Sequence, residues 1–329
     1  MVANLGSSLM RRIAAAVAVV ATLLTVTGCT PDDAKSATKA ATKVALGVIP
    51  IVDVAPVYLG KAKGFFSSRG IDLTLSPEQG GPPIIKGVLS GKYQFGFSNV
   101  TSLMAAEVDG APLRGIAAGV ASNGRAGRDF SAIVVPDGSP IRSAKDLAGA
   151  LIGVNVLKSL GDTTVRQSVR KAGGDPGGIQ FKAIPFPEMP GALQAHAIDA
   201  AWVVEPQLSE AIALGCQVVT SNLVDTAPNL TVAMYFTDNA LQVKDPGLIT
   251  RFSAAVAESL KYAAGHPEEV RNTVGTYTQI SDSVRTSMIL PEWPTDINRA
   301  SLDRLATLGR QDGTFKQLPA LDKLLPPAN

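Results

Sequence analysis

The chain has 329 residues, of which 46% are hydrophobic and only 5% aromatic, and its formal net charge is +2. This length is enough for two lobes of an α/β protein. The surplus positive charge comes from Arg11 and Arg12, within the first 28 residues, which contain no acid, so the remainder is neutral. A neutral chain without a basic run gives no support to nucleic-acid binding.

The N-terminal segment has the features of a bacterial lipoprotein signal. Arg11 and Arg12 form a positive start, and residues 13–26 form an apolar core that is too short for a membrane span of about 20 residues. The run Val-Thr-Gly-Cys that ends at Cys29 resembles a lipobox. This resemblance implies removal of residues 1–28, lipidation of Cys29 and a position on the extracytoplasmic side of the cell membrane, with residues 29–42 as the lipidated cysteine and flexible tether. The alternative is an ordinary secretory signal with an incidental cysteine.

The first half of the chain alternates strand and helix patterns. The spacing predicts strands over residues 43–48, 71–75, 93–97, 113–120 and 132–135, and helices over 56–64, 84–89 and 143–147. Ser98 and Asn99 are suitable N-caps for the helix that follows them. Glycines in the second loop permit close approach of the backbone to a ligand, although a plain tight turn is the alternative. The loops after the first three strands supply the candidate ligand-binding residues Ile51, Asp53, Gly80, Gly81, Ser98 and Asn99.

Residues 151–206 alternate strand, helix, strand, helix and strand. The strands are predicted at 151–156, 179–184 and 200–204, with one helix from about residue 165 to Gly173 and another at 189–197. Val165 and Val169 share the inward face of the first of these helices. This order predicts a parallel α/β unit with right-handed crossovers, in which ligands bind beyond the carboxyl ends of the strands. The loops at those ends supply the candidates Asp162, Thr163, Thr164, Met189, Trp202 and Glu205.

The rest of the chain is mostly helical. Strands are predicted at 217–220 and 232–236, and helices at 248–264, 266–277, 281–290 and 299–308. Cys216 is interpreted as a small buried apolar residue, since Cys29 leaves it no disulfide partner. His196 and His266 stand far apart and are interpreted as solvated, so the sequence offers no metal site.

Four motifs in order resemble the solute-binding proteins for sulfonates, taurine, nitrate and thiamin-precursor pyrimidines, the NMT1/THI5-like family. They are YLGKAKGFF at 58–66 with Asp72 and Leu73 after it, LSGKYQFG at 89–96, SAKDLAG at 143–149 and IDAAWVVEP at 198–206. Gln94 stands where the family has Asp. Trp202 stands earlier than the family's usual Trp, which leaves its place in the cleft or in the core open. The resemblance covers about residues 44–219.

The resemblance implies an α/β fold of the type II periplasmic-binding architecture, with a ligand cleft between two lobes. Lobe one would comprise residues 44–133 and 236–329, and lobe two residues 134–235, with hinge strands near Ile133 and Ala233. A small-molecule ligand would be captured by lobe closure and passed to the permease and ATPase subunits of an ABC importer. The chain is expected to be a monomer held at the membrane by its lipid anchor, without cofactor or metal.

Catalysis is not expected. The fold family includes a eukaryotic pyrimidine synthase, but that chemistry needs a His and a Cys-rich iron motif, and a Ser/His/Asp arrangement would lack its base here. Glu188 and Glu205 could form a carboxylate pair for acid–base work, yet each could equally contact a ligand amine or cap a helix. A surface lipoprotein that senses a ligand without transport is the other alternative, since a fold does not fix a function.

The charges of the expected cleft favour one kind of ligand. Its loops contain no Lys or Arg, and the nearest bases are Arg125 and Arg128 in a neighbouring loop. A helix N-terminus can hold a sulfonate or nitrate without a base, but Asp162 is expected to cap that helix and to repel an anion. The sequence therefore favours a neutral or amine-bearing organic ligand, with Glu205 meeting the amine. The acids of these loops are Asp53, Asp162, Glu188 and Glu205.

Overall fold

The computed structural model describes residues 40–326, which form one compact unit. The predicted signal segment, the predicted lipidation site at Cys29 and most of the predicted tether lie outside the described residues. Within residues 40–326, no helix combines the length and apolar character needed to cross a membrane.

Two five-stranded mixed sheets form the framework of the described residues. The first sheet has the order β2-β1-β3-β10-β4 and the second the order β7-β6-β8-β5-β9. Buried Val, Ile, Leu and Phe side chains of both sheets pack against the surrounding helices in a continuous hydrophobic core. The strands are β1 (Thr42–Val48), β2 (Ile71–Pro77), β3 (Phe95–Asn99), β4 (Leu113–Ala121), β5 (Ser131–Val135), β6 (Leu151–Val154), β7 (Gln180–Ala183), β8 (Ala200–Val204), β9 (Gln217–Thr220) and β10 (Thr231–Asp238).

The helices surround both sheets. Short 3-10 helices lie at Val52–Val54, Ser67–Arg69, Ala144–Leu147 and Phe186–Glu188. The α-helices of the described part are α1 (Ala55–Ala62), α2 (Gly81–Leu89), α3 (Val100–Val108), α4 (Leu160–Lys171), α5 (Met189–Gln194), α6 (Gln207–Ala213), α7 (Asn222–Thr226), α8 (Asn239–Lys244), α9 (Pro246–Gly265), α10 (Pro267–Val274), α11 (Asp282–Ser287), α12 (Arg299–Gln311) and α13 (Leu321–Leu324).

The predicted parallel unit is confirmed. Strand β6 pairs in parallel with both β7 and β8, and α4 and α5 connect these strands. Val165 and Val169 are both fully buried on the inner face of α4, as their spacing of four residues predicts. Their burial fixes α4 against the second sheet, so the N-terminal turn of α4 lies near the carboxyl end of β6.

The chain crosses between the sheets at other points than the lobe boundaries that the family resemblance implies. Strand β5 pairs with β8 and β9 of the second sheet, and β10 pairs with β3 and β4 of the first. The predicted lobe boundaries after residues 133 and 235 therefore fall inside strands. The crossings run instead between residues 121 and 131 and between 220 and 231. Alternation of apolar residues reveals a strand but not the sheet with which it pairs.

One predicted helix ends early and is followed by an extended segment. The pattern at 281–290 predicts a helix, but α11 ends at Ser287. Residues 288–294, called the strap below, are not helical and bond to Ala121 of the first lobe and Glu205 of the second. Pro291 and Pro294 disfavour helical backbone in the residues before them. Glu292 of the strap instead exchanges two backbone hydrogen bonds with Ala121, of 2.9 and 3.1 Å.

Candidate ligand-binding cleft

Loops of the two lobes meet beyond the carboxyl ends of their strands. The backbone N–H of Val52, after β1, donates to the carbonyl oxygen of Glu205, after β8, over 3.0 Å. The hydroxyl groups of Ser102 in α3 and Ser159 before α4 lie 2.9 Å apart. These contacts join the first sheet to the second, so the loops between them form a cleft at the edge where α/β proteins bind ligands.

The first turn of α3 forms one wall of the cleft. Asn99 is the N-cap, as predicted, and its Oδ1 accepts from the backbone N–H of Ser102 over 2.8 Å. The same oxygen accepts from the hydroxyl of Ser159 over 3.2 Å, so the cap also contacts the second lobe. Ser98 is not a cap, because its hydroxyl donates to the carbonyl oxygen of Asn99 over 3.2 Å.

Gly80 and Gly81 allow close packing at this wall. A Cβ on Gly80 would lie 2.6 Å from Val156 Cγ2 of the second lobe, and a Cβ on Gly81 would lie 2.9 Å from Ser102 Cβ. Both distances are shorter than two carbon atoms can approach. These glycines therefore bring α2 against α3 and against the loop after β6.

The first turn of α4 forms the opposite wall. Its N-cap position is Ser159, so the prediction that Asp162 caps this helix is wrong; the helix begins earlier because Leu160 is buried in the core. Asp162 Oδ2 accepts from the backbone N–H of Lys158 over 3.0 Å. Burial raises the pKa of Asp162 to about 6, although the Lys158 N–H and the charge of Arg166 lower it. A carboxylate thus occupies the turn in which the helix dipole would favour an anion.

The two threonines after Asp162 use their hydroxyl groups for packing. Thr164 Oγ1 donates to the carbonyl oxygen of Leu160 over 2.8 Å and accepts from Asn222 Nδ2 over 2.7 Å. Thr163 Oγ1 lies 3.3 Å from Thr314 Oγ1, after α12. The structure therefore places Thr163 between the lobes and Thr164 within the second lobe.

Asp53 is a buried acid with an unpaired oxygen atom. It lies after β1, is 3% exposed, and its Oδ1 has no hydrogen-bond partner among the described residues. Burial and, to a smaller degree, the charge of Asp129 raise its pKa to about 7, although a hydrogen bond from its own backbone lowers it. The Tyr235 hydroxyl is also buried and unpaired, and burial, with the nearby charge of Asp53, raises the pKa of Tyr235. An acceptor and a hydroxyl donor thus lie in the same electrostatic environment.

Ile51 contributes to this region through its backbone. Its side chain is buried, and its carbonyl oxygen accepts from the Tyr277 hydroxyl over 2.9 Å. The Tyr277 ring stacks on Tyr58 with centroids 4.0 Å apart. Ile51 therefore holds an aromatic pair next to Asp53, and burial raises the pKa of Tyr277.

Glu205 joins three parts of the chain. Its Oε1 accepts from the Ser209 hydroxyl (2.9 Å) and from the backbone N–H of Ile289 in the strap (3.0 Å), and its Oε2 accepts from the Ser209 N–H (3.0 Å). The side chain is fully buried, and burial raises its pKa to about 7, although these hydrogen bonds and the charge of Arg271 lower it. The carboxylate is occupied by donors of the chain itself, which removes the support for its expected contact with a ligand amine.

Two further candidates are core residues of the second lobe. Trp202 is 3% exposed, donates its Nε1–H to the Ser131 hydroxyl over 2.8 Å and packs edge-on against Phe186. Met189 is completely buried at the start of α5. The alternative reading of Trp202, as a packing residue, is the one its surroundings support, because its single donor is already paired.

Six side chains, five near the strand ends and Tyr235 within β10, carry a buried polar atom without a partner in the described part of the chain. Such atoms are rare in folded proteins, where buried polar groups pair with protein, water or ligand. Four of the atoms are acceptors, two belong to hydroxyl groups, and none belongs to Lys or Arg. They are therefore suited to a group that donates hydrogen bonds. The atoms are Asp53 Oδ1, Thr101 Oγ1, Asn155 Oδ1, Asp162 Oδ1, Gln207 Oε1 and Tyr235 OH.

Sequence reasoning did not name four of these residues as candidates: Thr101, Asn155, Gln207 and Tyr235. Asn155 directly follows β6 and Gln207 begins α6, so their place after a strand was the available signal. Tyr235 lies in the middle of an apolar strand and gives no signal. Among residues 40–326, no group of three or more His, Cys, Asp or Glu side chains is placed to hold a metal ion; His196 and His266 are exposed and Cys216 is buried, as predicted.

Solved structures share this fold across most of their length. One is a ligand-binding component of an ABC-type import system from Staphylococcus aureus (TM-score 0.75, 17% identity, 87% of this chain and 97% of that one). Others are the aliphatic sulphonate binding protein SsuA from Escherichia coli (0.71, 17%, 87% and 92%) and the nitrate-binding protein NrtA from Synechocystis PCC 6803 (0.69, 14%, 87% and 86%). No curated protein sequence matches the chain.

Two α/β sheets with a cleft at their strand ends, together with these likenesses, define the fold as that of the periplasmic binding proteins. The model of the NMT1/THI5-like family matches residues 51–270. The chain therefore belongs to the NMT1/THI5-like family, which confirms the resemblance found in its motifs.

Proposed function

We propose that this protein is an extracytoplasmic solute-binding lipoprotein of an ABC importer. It would capture a small organic molecule or oxyanion by closure of its two lobes and deliver the ligand to the permease and ATPase subunits. The observation that carries this proposal is the meeting of loops from both sheets around buried, unpaired polar atoms. Two of the structural neighbours, a sulphonate-binding and a nitrate-binding protein, support it.

For the ligand, we favour a neutral or amine-bearing organic molecule over a simple oxyanion. Asp53 Oδ1 and Asp162 Oδ1 are buried acceptors, and none of the six unpaired groups described for the cleft belongs to Lys or Arg. A bare anion placed there would meet two acids, of which only Asp162 lies within reach of a positive charge, that of Arg166. A ligand with N–H or O–H groups would instead supply the donors that these atoms lack.

The membrane anchor and the monomeric state are part of the same proposal. Lipidation of Cys29 after removal of residues 1–28 would hold the protein at the outer surface of the cell membrane. Membrane fractionation with wild type and a Cys29→Ala variant tests this, because the variant should leave the membrane fraction. Sedimentation of the released protein as a monomer of 34.1 kDa or slightly less is the expected accompanying result.

A thermal-shift screen tests ligand capture. The chain from Thr30 onward would be screened against alkanesulfonates, taurine, nitrate, pyrimidines and flavins. A ligand at 100 times its dissociation constant should add about 2.7 kcal/mol to the free energy of unfolding. A stabilising ligand whose cellular uptake is lost in a deletion strain supports an importer component. A stabilising ligand whose uptake is normal in that strain supports the sensing alternative. If no compound stabilises the folded protein, the proposed ligand classes are contradicted.

A further inference from the structure

A second polar cavity lies outside the cleft. Its volume is about 370 Å³, and it lies between the loop of residues 122–129, called the crossing loop below, and the end of α11 with the strap. Arg125 and Arg128 of the crossing loop line it, together with Arg271 of α10 and Glu292 of the strap. None of the six unpaired atoms of the cleft belongs to its lining.

The crossing loop is held in one conformation by its own hydrogen bonds. Asp129 is buried and accepts from the Ser122 hydroxyl (2.7 Å) and the Asn123 N–H (3.1 Å). Asn123 in turn accepts from the Arg125 N–H (2.9 Å) and donates to the Arg128 carbonyl (2.7 Å). Burial raises the pKa of Asp129, so the buried site is unfavourable for its charged form. The hydrogen bonds of Asp129 and Asn123 nevertheless fix the backbone that carries both arginines.

The backbone of this loop is also bonded to residues 220–231, the segment through which the chain returns to the first sheet. The N–H of Gly127 donates to the Ser221 hydroxyl over 2.9 Å. Gly124 and Gly127 both have a φ of +74°, which residues with a side chain rarely adopt. These contacts therefore fix the backbone from which the Arg125 and Arg128 guanidinium groups extend.

The positive charges of the two crossing-loop guanidinium groups are not paired with an acid among the described residues. Arg125 and Arg128 are exposed, and neither forms an ion pair within the described residues. Arg271 is oriented by Glu268 (3.0 Å) and by the Met288 carbonyl (3.1 Å), and its Nε is buried without a partner in that same part of the chain. Four acids reach this area: Glu268 is bound to Arg271, Glu205 lies within the electrostatic reach of Arg271, Asp129 is buried beneath the loop, and Glu292 is exposed.

We propose that this cavity binds a small tetrahedral oxyanion, such as inorganic phosphate or sulfate, as a second ligand. Guanidinium groups on a rigid base hold such oxygens in pairs of charge-assisted hydrogen bonds. The bound anion links the crossing loop to Arg271, whose guanidinium donates to the Met288 carbonyl oxygen of the strap. Because the strap is bonded to Ala121 of the first lobe and to Glu205 of the second, the anion reinforces the contact between the lobes.

The test is calorimetric titration of the full chain, purified in detergent, with phosphate and separately with sulfate at constant ionic strength. The test variant is Arg125→Gln/Arg128→Gln. The matched control is Arg304→Gln/Arg310→Gln on α12, which removes the same charge from two exposed arginines. Wild type and control should bind with the same affinity, and the test variant at least ten-fold more weakly.

Three results would overturn the proposal: no heat with wild type, equal weakening in both double variants, or undiminished binding in the test variant. Equal weakening would reveal a general charge effect, and undiminished binding would place the anion elsewhere, for example in the cleft. If the double variant does not fold, the single variant Arg128→Gln gives the same readout with a smaller expected loss of about three-fold.

Discussion

Replacing Glu205 by glutamine should flatten the dependence of stability on pH. The carboxylate is buried between Ser209 and Ile289, and burial raises its pKa from 4.5 to about 7. Between these two values, the folded protein keeps a proton that the unfolded chain has released. The free energy of unfolding therefore contains a contribution that is complete below the unfolded pKa and is lost as the pH rises through the folded pKa.

The size of this contribution follows from the two pKa values. One pKa unit corresponds to about 1.4 kcal/mol, so the full effect of Glu205 is about 3 kcal/mol, most of which is lost between pH ~5 and ~8. Asp53 and Asp162 have raised pKa values as well, of about 7 and about 6. Their contributions are present in wild type and variant alike, so the difference between the two proteins isolates Glu205.

Urea unfolding at a series of pH values measures this difference. Wild type, Glu205→Gln and Glu188→Gln are compared, because Glu188 is an exposed glutamate of the same lobe. The stability of Glu205→Gln relative to wild type should improve by about 2 to 3 kcal/mol from pH ~5 to ~8, whereas Glu188→Gln should follow wild type. Parallel pH curves for wild type and Glu205→Gln, within about 0.5 kcal/mol, would refute the burial of an ionisable carboxylate at this position.

Three other variants test the cleft. Tyr235→Phe should raise the free energy of unfolding by about 1 kcal/mol, because it removes a buried unpaired hydroxyl, and should weaken binding of the ligand found by the screen; a destabilised variant would argue that the hydroxyl is paired. Asp162→Ala should allow nitrate or an alkanesulfonate to raise the melting temperature, and strong stabilisation of wild type by these anions would contradict the preference for a neutral or amine-bearing ligand. Gly80→Ala should lower ligand affinity at least ten-fold, because the added Cβ would lie 2.6 Å from Val156 Cγ2 of the other lobe. The control Gly191→Ala, whose Cβ would meet nothing within 4 Å, should bind the ligand normally. Equal affinities of the two variants would show that the lobes close without this contact.

The sequence was sufficient for the parallel unit and for the edge at which loops of the two sheets meet. Val165 and Val169 predict the buried face of α4, and their burial is observed. The position of Asp53, Asn99 and Glu205 after strands predicts that they lie between the lobes, because the carboxyl ends of parallel strands share one edge. Local patterns suffice here because each prediction depends on neighbours within one helix or at one strand end.

Features that depend on distant residues were not predictable. The hydroxyl of Tyr235 lies in an apolar strand, so only the three-dimensional neighbourhood reveals that it is unpaired. Ile289 belongs to a helical pattern, yet its N–H donates to Glu205, which is 84 residues away. Asp162 looks like a cap in the sequence, but the burial of Leu160 moves the helix start to an earlier residue.

The two acids that follow β1 and β8 illustrate how the surroundings separate residues of similar chemistry. Asp53 and Glu205 are both buried, and burial raises the pKa of each to about 7. Glu205 accepts three hydrogen bonds, two from Ser209 and one from Ile289 of the strap. Its carboxylate is therefore already used in the contact between the lobes. Asp53 Oδ1 receives none from the described residues. Since an unpaired buried oxygen costs about 1–3 kcal/mol, a ligand N–H that reaches Asp53 recovers this free energy on binding, whereas one directed at Glu205 would have to break a contact that holds the lobes together.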